Sequence, residues 1–208
     1  MKLDRLLIAC GFVGPIIFFF TIYFLFPFFY PDYSSTHMYI SDLGAVDSPV
    51  KTLTNVFGFS LLGIFTMIFA YGMFRSREIN ALGKFAAIFF FATGGLMYLT
   101  GVFMGDAGEN FSPRAILHNK VSDYQFPILA VGFIIFALSV IGNKNLRILT
   151  PIILALGAIT LYLANMLFLS PPLPPPNVGI LQRAAIGIPY FIVMIIAIKL
   201  FKVQKLNN

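Results

Sequence analysis

The chain contains no tryptophan, one cysteine and two histidines among its 208 residues, and only 11% of those residues are charged. Each scarcity excludes something. A single cysteine, Cys10, cannot build a disulfide framework, and it lies inside an apolar run. His37 and His118 stand in separate segments without metal-ligand spacing, so no metal and no cofactor is expected. Without tryptophan, an interfacial aromatic belt must rest on tyrosines such as Tyr30, Tyr33, Tyr39 and Tyr124. The shortage of charge decides the class, because a soluble domain of this length needs more polar residues to cover its surface.

What is present instead is hydrocarbon. Hydrophobic residues make up 59% of the chain, and mean hydropathy is +0.89. A bilayer core about 30 Å thick takes roughly 20 helical residues to cross. Six runs meet or approach that length: 6–30, 53–74, 85–104, 126–142, 148–169 and 184–201. They are continuously apolar rather than alternating, so they read as helices and not as barrel strands. No internal repeat and no long linker divides the chain. The expected fold is all-α: one polytopic membrane domain of six transmembrane helices in a single bundle, spanning 1–208. Leu7-Ile8-Ala9-Cys10 imitates a lipoprotein cleavage box, but the apolar run continues far past it, so the first helix is expected to be retained.

The net charge of +6 does not indicate nucleic acid, because the basic residues sit in short clusters between the runs. With the N-terminus inside, Lys2, Arg5, Arg75, Arg77, Lys84, Lys144, Arg147, Lys199, Lys202 and Lys205 are internal. Lys51, Arg114, Lys120 and Arg183 are then external. Ten against four follows the positive-inside rule. Two acidic residues join the inner set and six the outer, giving net charges of +8 and −2. Both termini are therefore expected in the cytoplasm, the protein integral to the cell membrane, and membrane lipids its immediate partners.

On the third run Gly94, Tyr98, Gly101 and Gly105 share one helical face, and Gly101-Val-Phe-Met-Gly105 is a small-xxx-small motif. Packing within the chain is the expected use. A homo-oligomer or a partner membrane protein docking through Gly101 and Gly105 is the alternative. Ser-Pro-Pro-Leu-Pro-Pro-Pro at 170–176 predicts a stiff, extended outer strap.

The polar groups gather on the expected outer side. Ser34-Ser35-Thr36-His37 and Ser41-Asp42-Leu43-Gly44 form one segment. Asp106 to Asp123, with His118, forms a second, and Leu181-Gln182-Arg183 a third. If residues 119–123 begin the fourth helix, His118 and Ser122 lie one turn apart. An arginine at the mouth of an apolar helix must snorkel or pair, and Asp42 is its first expected partner.

Tyr39-Ile40-Ser41-Asp42-Leu43-Gly44 resembles the I-S-E/D-L-G signature of the DUF998 family of multi-pass membrane proteins. Gly179-Ile180-Leu181-Gln182-Arg183 resembles that family's later G-x-x-Q-R element. The resemblance spans most of the chain and implies a six-helix topology. Aspartate at 42, where glutamate is common, shortens the reach by one methylene. The family's function is unknown, so the resemblance supplies no substrate.

Three uses of the polar cluster are open. Ser41 or Asp42 caps a helix or turn, and Arg183 forms a structural pair. Alternatively, Ser41, Asp42, His118, Gln182 and Arg183 form a pocket for a lipid headgroup or other small amphiphile, the arginine gripping an anionic group. In the third, a hydrolase uses His118 as general base, oriented by Asp123 or Asp42. Ion transport is disfavoured, because the middles of the runs hold only weakly polar groups such as Thr66 and Thr93. An accessory subunit of a larger membrane complex would need no such cluster.

Overall fold

The computed structural model describes residues 2–106, 112–168 and 176–206. Six helices among them are long and apolar enough to cross a membrane: Leu3–Phe28, Lys51–Arg75, Ala81–Val102, Pro113–Ser139, Leu149–Leu167 and Val178–Gln204. No strand occurs among the described residues. Each span packs on its neighbours in sequence, and the first also packs on the sixth, so the six close into one bundle. The expected proline strap at 170–176 lies, but for Pro176, outside the described residues.

Aromatic rings fill the centre. Phe69 of the second span meets Phe90 of the third edge-on at 6.1 Å, and Phe90 meets Phe133 of the fourth at 5.5 Å. All three are essentially sealed from solvent. Other phenylalanines, Phe24, Phe28 and Phe91 among them, face outward, as lipid permits.

Glycine sets the tightest helix contact. A Cβ on Gly101 would collide with Ser60 Oγ and the Asn55 carbonyl, and would lie 2.8 Å from Ser60 N. Gly94 likewise faces the backbone of Gly63 and Met67. The small-residue face of the third span is thus occupied by the second span, whereas Gly105 looks toward His118. The second span is wound as a π-helix over Thr54–Ser60, at the segment that meets Gly101. The first span has a similar π segment, Phe19–Leu25, just before Pro27. There the ring of Pro27 crowds the carbonyl four residues back and removes one N–H.

Two helices start earlier than their apolar runs. The fourth begins at Pro113, with Ser112 Oγ accepting from Ala115 N at 3.2 Å, so it carries a polar first half before Phe126. The sixth begins at Val178, taking Gln182 and Arg183 into its first turns. His118, Asn119, Ser122 and Asp123 of the first extension and Gln182 of the second line a cavity, which is why their polarity is tolerated.

The two ends of the bundle differ. Asp4 accepts a 2.7 Å charged hydrogen bond from Arg75, and Gln204 Nε2 donates to Ser76 Oγ at 3.3 Å. Residues near both termini therefore share one end with the 75–80 connection. The 30–50 loop, the start of the fourth span and the start of the sixth meet at the other.

Candidate functional site

At that second end the loop is fastened to the sixth span by the G-x-x-Q-R residues. Gly179 comes first: a Cβ there would collide with Met38 O and lie 2.5 Å from Ser35 O, so only glycine admits the loop backbone. Gly179 N donates to Thr36 O at 3.0 Å. One turn on, Gln182 Oε1 accepts from Ile40 N at 2.5 Å, satisfying the first amide of the short helix Ile40–Leu43. Arg183 then reaches back. Its Nη1 donates to Ser35 O at 2.7 Å and Gly179 O at 3.1 Å, and its Nη2 donates to Tyr33 Oη at 2.8 Å and Ser35 Oγ at 3.3 Å. The guanidinium carbon lies 5.6 Å and 5.9 Å from the ring centres of Tyr33 and Tyr23. Tyr23 Oη completes the latch by donating to Arg183 O at 2.6 Å.

The expected Arg183–Asp42 pair does not form. Among the described residues Arg183 meets no carboxylate; neutral oxygens and ring faces take its place. Asp42 faces inward to its own helix, Oδ2 accepting from Tyr39 N at 2.8 Å, half of a capping box. Burial raises the Asp42 carboxyl above the usual carboxylate range, and the Tyr39 amide offsets part of that rise.

Beside this latch opens a cavity of about 520 Å³. Ser41, Asp42, His118, Ser122, Asp123 and Gln182 line it, so five sequence-nominated residues and Ser122 are brought together. Arg183 is not in the wall. A smaller space of about 20 Å³ continues inward, sharing Ser41, His118, Ser122 and Gln182 with the larger cavity. Gln125, buried on the same helix, lines it and leaves Oε1 without a partner.

His118 is only 3% exposed. Its Nδ1 lies 2.9 Å from Thr100 O and 2.5 Å from Phe103 O, carbonyls at the end of the third span that have no helical partner. Carbonyls only accept, so Nδ1 carries a proton, and in the neutral form of the ring the Nε2 lone pair is left on the side of Gly105, a cavity residue. The residues orienting His118 are thus backbone carbonyls, not Asp123 or Asp42. Asp123 stands exposed in the cavity wall with no hydrogen bond among the described residues. Ser122 Oγ is 3.3 Å from Thr100 Oγ1. Asp106, at the rim, accepts from Ser112 N at 2.6 Å; its hydrogen bonds with Ser112 hold its carboxyl below the usual range. His37 Nδ1 lies 2.7 Å from Pro176 O, and among the described residues no histidine, cysteine and carboxylate set gathers to hold a metal.

Several participants were not singled out from the sequence. Asn55 Nδ2 donates to Gly44 O at 2.7 Å and Lys51 O at 2.9 Å, tying the end of the signature loop to the second span. Tyr33 and Tyr23 were read only as belt or apolar residues. A buried amide such as Gln125 within an otherwise apolar helix was the available signal for the cavity floor.

A family model described as "Protein of unknown function (DUF998)" matches residues 12–199. The chain belongs to the DUF998 family. No curated protein and no solved structure matches it. In this DUF998 chain the two sequence elements that carry the family resemblance contribute to both features: Gly179, Gln182 and Arg183 to the latch, and Ser41, Asp42 and Gln182 to the cavity wall.

Proposed function

We propose that this protein holds small amphiphiles from the outer leaflet of the cell membrane, its cavity facing outward and both termini in the cytoplasm. The carrying observation is the 520 Å³ cavity, whose wall joins the buried His118 ring and several polar side chains to Leu167. Leu167 ends the fifth span, the least buried of the six, so a polar chamber adjoins a lipid-exposed helix. That combination suits a molecule with one polar end and one apolar end. The ten-to-four distribution of lysine and arginine supports the orientation.

The head of such a ligand meets Ser41, Asp42, His118, Ser122, Asp123 and Gln182 rather than Arg183, which is absent from the wall and whose Nη groups are engaged by Ser35, Tyr33 and Gly179. Native mass spectrometry of the full chain released from membranes tests this. A lipid-sized adduct is expected on the native chain and absent from Ser122→Phe, which projects a bulky ring from a position that lines both spaces. Equal adducts on the two proteins, with equal melting temperatures, would remove the cavity from the account.

A second reading, hydrolysis, is favoured by one feature. His118 keeps its Nε2 lone pair on the cavity side, with the Ser122 hydroxyl one turn away on the same helix. Turnover of a lipophilic ester by proteoliposomes, lost in His118→Asn, would support it. Absence of turnover leaves binding as the role.

A further inference from the structure

The cavity wall holds the carboxyl groups of Asp42, Asp106 and Asp123 and several further acceptors, and its donors are neutral hydroxyls and amides. Nε2 of His118 is an acceptor because Nδ1 holds the proton against two carbonyls. Gln125 Oε1 is buried at the cavity floor without a partner, on a side chain 4% exposed. Asp123 presents a carboxylate free of hydrogen bonds among the described residues. Asp42 spends Oδ2 on Tyr39 N and so retains acceptor capacity. Among the described residues no lysine or arginine lines the wall; Arg183 in the latch directs its Nη groups at Ser35, Tyr33 and Gly179, and Arg114 acts on Asp106 at the rim. Gln182 turns its amide nitrogen to the space, its own oxygen being held by Ile40 N, and Asn119, Tyr39, Ser41 and Ser122 add neutral donors but no cation.

A ligand complementary to this wall must bring hydrogen-bond donors and positive charge. We propose that the head of the amphiphile is a primary ammonium group, its three N–H bonds directed at Asp123, His118 Nε2 and the deeper acceptors. This rests on the amphiphile-binding reading above. An anionic or phosphate head would face the carboxylates with no compensating cation. A quaternary ammonium would supply charge but leave the histidine and amide acceptors unfilled.

The test uses the full chain in phosphatidylcholine nanodiscs and four probes with the same tail: dodecylamine, dodecyltrimethylammonium, dodecanol and dodecyl phosphate. Dodecylamine alone is expected to raise the melting temperature by several degrees. That rise should vanish in Asp123→Asn, which changes a residue with no hydrogen bond to lose within the described fold. It should also vanish in His118→Asn, whose amide can still donate to the Thr100 and Phe103 carbonyls while removing Nε2. Comparable shifts from dodecyltrimethylammonium, dodecanol or dodecyl phosphate, all lost in the variants, would overturn the ammonium assignment and leave amphiphile binding standing. Shifts that survive in both variants, or no shift from any probe, would overturn both.

Discussion

Arg183 makes its contacts with neutral oxygens and two tyrosine rings, so its worth lies in the planar fork more than in the charge. Arg183→Lys is therefore expected to lose stability, by about 1–3 kcal/mol, because one ammonium cannot reach Ser35, Gly179 and Tyr33 together. Thermal melting of the purified variant checks this, and a lysine variant as stable as the native chain would show that charge alone suffices. Asp42 makes a different prediction. Its folded carboxyl titrates above the ordinary 3.8, chiefly because burial disfavours the anion. The native state then holds its proton more tightly than the unfolded chain. The resulting stabilisation is full below about pH 4 and is lost as pH rises through the raised folded value. Native protein should thus gain stability relative to Asp42→Asn on acidification from pH 7 toward pH 4. A constant difference between the two melting curves across that range would contradict the burial effect.

At the scale of the element, the third span is the sharpest case. Gly101→Leu should destabilise the bundle by at least about 1–3 kcal/mol, since the new side chain enters space held by Ser60 and the Asn55 carbonyl. An unchanged melting temperature in detergent would place Gly101 away from that seam. The glycine spacing made this face legible in the sequence, as continuous apolarity did for the six spans. The starts of the fourth and sixth helices were not legible by that signal. Polar residues such as Asn119, Asp123 and Gln182 interrupt the hydropathy, although hydrogen bonding and a cavity let the helix carry them. Arg183 was read as needing a carboxylate because chain order shows charges but not backbone oxygens. Its real partners come from a loop 148 residues away that only folding brings near. Of the nominated pocket residues Ser41, Asp42, His118 and Gln182 converge and Arg183 does not, and the groups orienting His118, the carbonyls of Thr100 and Phe103, have no signature in side-chain identity.

For the molecule as a whole, orientation decides which compartment the cavity serves. Cysteines at Asp47 and Arg77 occupy exposed positions at the two ends and leave the sealed Ser48 and Ser76 untouched. In a Cys10→Ser background in intact cells, the first should react with an impermeant maleimide and the second should not. The opposite pattern would turn the cavity toward the cytoplasm. The latch carries one more consequence, concerning synthesis. Tyr33 and Ser35 belong to the first loop to emerge, whereas Gly179, Gln182 and Arg183 arrive with the last helix. During translation the early loop must wait, with Ile40 N and the Ser35 carbonyl unmet, until the sixth helix has been made. With only the first five helices inserted, the chamber would lack the wall that Val178 and Gln182 supply. The latch can then close only once the sixth helix has entered the membrane, so its closure reports that all six spans are in place.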